Sequence, residues 1–205
     1  WLMGLILMIT SGTQVAGQFA AEATSKSTIP LAQPDCDTLF LKLNSSKYRE
    51  TEHEERGEGF RLNVRKINIL STDSATINLG FPELNIVRSE TDSFEIVVLN
   101  DAYGADRKEA LHFAKNISYG IMLKDSSVEF NPYFSIPMQE KWRAQNVHIE
   151  VRVPKGKMVY ISKNMKHILS DVKNETNTWD GDMVGRRWIM GDEELRCVDC
   201  AALSD

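Results

Sequence analysis

The stretch Val147-His148-Ile149-Glu150-Val151-Arg152-Val153 decides the fold. Apolar and polar residues alternate without a break, and successive side chains of a strand point to opposite faces. The four hydrophobes therefore share one face of a half-buried strand. Pro154-Lys155-Gly156-Lys157 is a turn sequence, and Val159 and Ile161 restart the alternation. The same period of two recurs on both sides. Upstream it runs through Thr38-Leu39-Phe40-Leu41-Lys42-Leu43, Leu62 and Val64, Ile67 and Ile69, Ala75, Ile77 and Leu79, Leu84 and Ile86, and Phe94, Ile96 and Val98. Downstream of a helix it returns in Ile117, Tyr119, Ile121 and Leu123, then Val128 and Phe130, and ends in Trp188-Ile189-Met190. Turn formers separate the runs at Ser71-Thr72-Asp73-Ser74, Gly80-Phe81-Pro82, Asn100-Asp101, Tyr103-Gly104 and Lys124-Asp125-Ser126-Ser127.

The helix spans Asp106 to Asn116. Asp106 caps it, Glu109 completes a capping box, and Ala110, Leu111 and Ala114 sit at helical spacing. The expected fold is mainly β: a short-strand sandwich or a solenoid-like stack with one short helix.

The N-terminal edge is apolar. Trp1 to Ile9 is an uninterrupted hydrophobic run, and after a polar break at Thr10-Ser11-Gly12-Thr13-Gln14 small and apolar residues continue through Ala21. Three readings stand beside one another: the end of a transmembrane helix, a signal remnant with Ala20-Ala21-Glu22-Ala23 as a loose cleavage site, and a buried core helix. The first is favoured, and the opening Trp suggests a piece of a longer protein. Lys26 is the first basic residue and Lys42 the next, so no positive cluster marks the following domain as cytoplasmic. The expected division is residues 1–21 as membrane segment, 22–37 as linker, 38–200 as β-rich extracytoplasmic domain and 201–205 as tail. Residues 44–59 carry dense charge of both signs and read as a solvated excursion.

Net charge is −5 and no basic stripe is present, which argues against nucleic acid as a partner. Nucleophile elbows, phosphate loops and HExxH helices are missing. Cys197 and Cys200 form a CxxC, and Cys36 is the third cysteine. A structural disulfide within the pair, or from Cys36 to one of its members, competes with inert thiols, a redox pair and an incomplete zinc site. Asp192, Glu193, Glu194 and Asp199 flank the pair and disfavour a reactive thiolate. His53, among Glu52, Glu54 and Glu55, reads as surface. The oxygen-rich run from Asn174 to Asp182 lacks the spacing of an EF-hand. Trp142 and Trp179 are candidate sugar-stacking residues, with packing as the competing reading.

Trp142-Arg143-Ala144-Gln145-Asn146-Val147, continuing through Val153-Pro154-Lys155-Gly156-Lys157 to Val159-Tyr160-Ile161, resembles the C-terminal region of bacterial PspC-domain (phage-shock-protein-C type) membrane proteins. So does the ending, Trp188-Ile189-Met190 followed by Cys197-Val198-Asp199-Cys200. The stretch from Ala102-Tyr103-Gly104 through Ala110, Ala114, Asn116-Ile117 and Tyr119 is similar to adhesin-type head-GIN domains, which are stacks of strands. The likeness spans most of Leu39 to Cys200, carries no catalytic residues and does not include the PspC domain itself. It implies a non-enzymatic sensing, binding or scaffold domain of a bacterial inner-membrane protein, periplasmic and linked to envelope stress, with no cofactor. The membrane is then a partner through the N-terminal helix, and a protein partner or self-association is expected through strand edges. The alternatives are a CxxC-centred redox or metal protein and a carbohydrate-binding module.

Overall fold

A computed structural model describes residues 1, 16–31, 36–44, 71–72 and 75–200. Its centre is the deciding stretch, now strand β10 (Asn146–Val153). Val147, Ile149, Val151 and Val153 are all buried, while His148, Glu150 and Arg152 stand half-exposed on the other face. β10 pairs antiparallel with β6 (Glu95–Gly104) and parallel with β5 (Glu83–Arg88). β1 (Ala21–Pro30) joins the far side of β6 and completes a four-stranded sheet in the order β1-β6-β10-β5.

A second sheet has six strands: β13 (Leu195–Cys197), β12 (Arg186–Met190), β11 (Met158–Ile161), β2 (Thr38–Leu43), β8 (Ser127–Phe130) and β7 (Ile121–Lys124), in that order. A third, small sheet orders β3 (Ser71–Thr72), β4 (Thr76–Leu79) and β9 (Phe134–Pro137). The two large sheets share one core. Leu84, Ile86, Ile96 and Val98 join the β10 valines from one sheet; Leu39, Leu41, Leu43, Val128, Phe130, Val159, Ile161 and Trp188 come from the other. Each fully buried large side chain stabilises by about 1.5–3 kcal/mol, which is why the alternation dictates the layering. Trp188 is wholly buried, and its indole N–H donates to the Met183 carbonyl at 2.9 Å, so the polar atom costs nothing.

The fold is mainly β, with several sheets of which none closes, and the pairs β5–β10, β2–β11 and β2–β8 are parallel. Parallel neighbours need long crossovers, so they join strands far apart in sequence.

Helix α1 (Arg107–Lys115) lies within the expected span, with Asp106 and Asn116 as its caps. Asp106 Oδ1 accepts the Glu109 N–H at 2.8 Å, and Glu109 Oε2 accepts the Ala105 N–H at 2.6 Å. Ala102, Phe113 and Ala114 form a small second cluster where α1 rests on the sheet. Gly104 permits this approach, since a Cβ there would lie 2.5 Å from the Ala110 nitrogen. Gly156, at φ +79°, takes the left-handed conformation in the Pro154–Lys157 turn.

Three expectations change. The Ser/Thr-rich stretch read as a linker is strand β1 from Ala21 to Pro30, because its backbone pairs with all ten residues of β6 even though its side chains carry no hydrophobic alternation. The alternation from Ile117 to Leu123 is only half strand: β7 begins at Ile121, and Ser118 makes an isolated bridge to Ser135. β9 and β13 are strands where none was expected, both too short to display a period. The expected strands at 62–69, the charged excursion at 45–59, the membrane segment at 2–15 and the tail at 201–205 lie outside the described residues. Among the described residues, no helix is long and apolar enough to cross a membrane.

Candidate functional site

Sheet edges are where the outer strands differ. An outer strand presents one row of unpaired N–H and C=O groups unless something covers it. β5 is covered: Leu84 N–H donates to the Ile168 carbonyl at 2.6 Å, and Ser170 N–H to the Leu84 carbonyl at 2.9 Å. β13 is covered by the Lys173–Glu175 backbone at 3.2 and 3.0 Å, and β9 by Ser118 at 2.8 and 2.9 Å. β7 is open among the described residues but has only four residues, and it ends a tight hairpin with β8.

Among the described residues, β1 is open over its ten residues. Leu31 N–H donates to the Phe94 carbonyl at 3.1 Å, one step beyond the Pro30–Glu95 pair. Antiparallel ladders alternate, so the odd-numbered residues of β1 bond to β6. The backbone groups of Glu22, Thr24, Lys26 and Thr28 therefore face outward, and no partner meets them among the described residues. Their side chains are all exposed and lie on the polar outer face of the sheet. Thr24 donates its hydroxyl to Asp101 at 2.5 Å. Glu22 accepts from Tyr103, and its charge and this bond push the Tyr103 hydroxyl pKa upward. Lys26 has no ion pair among the described residues.

The same outer face carries His148 between Glu83 (3.4 Å) and Asp101 (3.5 Å), and Arg152 between Glu150 (2.8 Å) and Glu95 (3.9 Å). These ladders keep the face hydrated. Among the described residues, no group of three or more His, Cys, Asp or Glu converges on a point where a metal would sit.

β1 is anchored where it begins. Arg143 is 6% exposed, and its guanidinium carbon sits 5.6 Å from the Phe19 ring centre and 5.4 Å from that of Phe113 on α1. It donates to Gln18 Oε1 at 2.8 Å and to the Trp142 carbonyl at 3.1 Å, while its buried Nε meets no partner among the described residues. A desolvated cation over two aromatic faces is held by their quadrupoles. Arg143 thus fastens the Gln18–Phe19 segment to the helix. A single arginine in a mixed stretch gave no sequence signal for this role.

The residues singled out from sequence fall in separate places. Cys197 and Cys200 are joined in a disulfide with Cα atoms 5.6 Å apart, and Cys36 is free and half-buried. Burial pushes the Cys36 thiol pKa upward, against the lowering effect of Lys157. The disulfide follows directly on β13, and Arg186 Nη1 lies 3.2 Å from Cys200 Sγ. Trp142 is 46% exposed and packs 5.9 Å from Phe19 beside the Arg143 clamp. Trp179 is 75% exposed and lines a polar groove with Lys173, Asn177, Asp180 and Glu194. Asp180 is committed there to the backbone N–H groups of Asp171 and Val172 at 3.0 and 3.1 Å. The two tryptophans belong to different neighbourhoods and make no common platform. The open β1 edge itself went unread, because its composition is that of a loop.

No curated protein and no solved structure matches this chain at a significant level. A family model described as the ToastRack found in some PspC matches residues 71–203, which include α1 and the strands from β3 to β13. That match covers well over half of the sequence, and the chain belongs to the toast-rack family of PspC C-terminal regions.

Proposed function

We propose that this domain is a non-enzymatic scaffold of a membrane-anchored envelope protein, acting in the stress response associated with PspC by accepting an added strand on β1. The observation that carries this reading is the ten-residue edge of β1, open among the described residues, while the β5, β9 and β13 edges are each met by another backbone segment. Strand addition uses backbone hydrogen bonds for affinity and side chains for selectivity, and it needs no pocket. An exposed edge this long is a hazard unless it is used or guarded. The family match supports the link to PspC, and the apolar run at residues 1–9 supports membrane attachment. A location outside the cytoplasm agrees with the Cys197–Cys200 disulfide, which an oxidising compartment sustains.

Hydrogen exchange on the full chain in native membranes tests the reading. Slow exchange of the Thr24 and Lys26 amides is the expected result. Exchange as fast as in an unstructured peptide, with β10 still protected, would sink it.

The groove beside Trp179 favours a second reading, carbohydrate binding, since an exposed indole ringed by polar side chains can stack on a sugar. Glycan binding abolished by Trp179→Ala would support it, and silence across a broad glycan array would remove it.

A further inference from the structure

We propose that the strand added to β1 is β1 of a second copy of this chain, antiparallel, with a two-fold axis through Thr24. This inference rests on the strand-addition reading and names its occupant. Among the described residues of β1, Glu22, Thr24, Lys26 and Thr28 offer both N–H and C=O outward, so hydrogen-bonded pairing must match even-numbered residues with even-numbered ones. Directly opposite residues of an antiparallel pair place their side chains on the same face, close enough to interact.

The charges then select the register. Centring the pair on Glu22 sets Glu22 against its own copy, and centring it on Lys26 does the same to Lys26; like charges directly opposite are unfavourable. Centring on Ala23 or Ser25 sets the charged residues against threonines or leaves them unmatched. Centring on Thr24 places Glu22 opposite Lys26, and symmetry makes the same pair twice. Lys26 is the cation on β1 without an ion pair among the described residues. Tyr103 already holds the Glu22 carboxylate on the other side. Pro30 bounds the edge, because it has no N–H to offer a partner strand. The lysine that guards this edge against indiscriminate pairing therefore also chooses its one good register. The two four-stranded sheets become a single eight-stranded sheet, with β1 and its copy at the centre.

The test is the mass of the full chain in mild detergent, measured by sedimentation for the wild type, for Lys26→Glu and for Glu22→Lys combined with Lys26→Glu. Both sites are exposed, so folding is not at stake, and circular dichroism of each variant checks this. The wild type is expected to dimerise. Lys26→Glu turns two attractive pairs into two repulsive ones and is expected to weaken the dimer at least about tenfold, and the double exchange is expected to restore it. A dimer held by the apolar N-terminal run would ignore both variants' changes, and that result overturns the proposal. A wild type that stays monomeric also overturns it. In that case slow Thr24 and Lys26 amides in native membranes would keep the strand-addition reading with a different occupant, and fast amides would end both.

Discussion

β5 and β1 are the two outer strands of one sheet, and they are opposites. β5 is apolar at Leu84 and Ile86, both buried, and its outer edge is met at Leu84 by the Ile168–Ser170 backbone. β1 buries only Ala23, and its edge is open among the described residues. The difference teaches that a strand can be held in two ways. β5 is held by its side chains in the core. β1 is held by a ladder to β6 and by the Arg143 clamp at its start. A strand of the second kind contributes little to stability and is free to serve as a surface for association.

The largest expected effect divides the two strands cleanly. Leu84→Ala should cost about 2–5 kcal/mol in urea denaturation, since it opens a cavity at a fully buried site. Ser27→Ala, on the exposed flank of β1, should stay within about 0.5 kcal/mol. Equal costs would break the contrast. Next comes the fastening beyond β13. Reducing the Cys197–Cys200 bridge removes a very short loop closure, so the loss should be about 2 kcal/mol at most. A much larger loss would mean that the covered β13 edge depends on the bridge rather than on its ladder. Arg143→Met keeps the bulk and removes the cation. It should cost about 1–2 kcal/mol, set by the lost cation–π contact, and speed amide exchange from Gln18 to Ala23 while leaving β10 unchanged. Uniform acceleration, or none, would dissolve the idea of a local clamp.

The smallest effect concerns pH. Asp192 is hydrogen-bonded by Lys155, which holds its carboxyl below the usual carboxylate range, and its backbone carbonyl accepts from Arg88 at the end of β5 at 2.6 Å. A carboxyl lowered on folding adds stability above its unfolded value, about pH 4, and that contribution fades as pH falls through the folded value. Asp37, hydrogen-bonded by Lys157, follows the same rule. The gap in melting temperature between wild type and Asp192→Asn should therefore close in acid and shrink in high salt. A gap that persists unchanged at both extremes would show that the pair does nothing for the closed side.

Legibility from sequence followed the same division. β10 was readable residue by residue, because its four buried hydrophobes alternate with His148, Glu150 and Arg152. The helix cap was readable because Asp106 and Glu109 act locally. β1 was not, because a strand secured by backbone pairing to a partner far away in sequence leaves no trace in its own side chains. The parallel pairings were hidden for the same reason. The disulfide candidates reduced to one pair only when the structure brought Cys197 and Cys200 together and left Cys36 free. The Arg143 clamp joins three distant segments, and no local spacing announces such a junction.

The uniform register of β1 on β6 has a mechanical consequence. Ten residue pairs run in step from Ala21–Gly104 to Pro30–Glu95. Tension applied to the preceding segment along the strand axis loads every rung of that ladder in shear at the same moment, rather than peeling the rungs apart singly. Before it reaches them it must first draw Phe19 away from Arg143. A ladder loaded in this way is stiff up to a threshold and then gives way all at once.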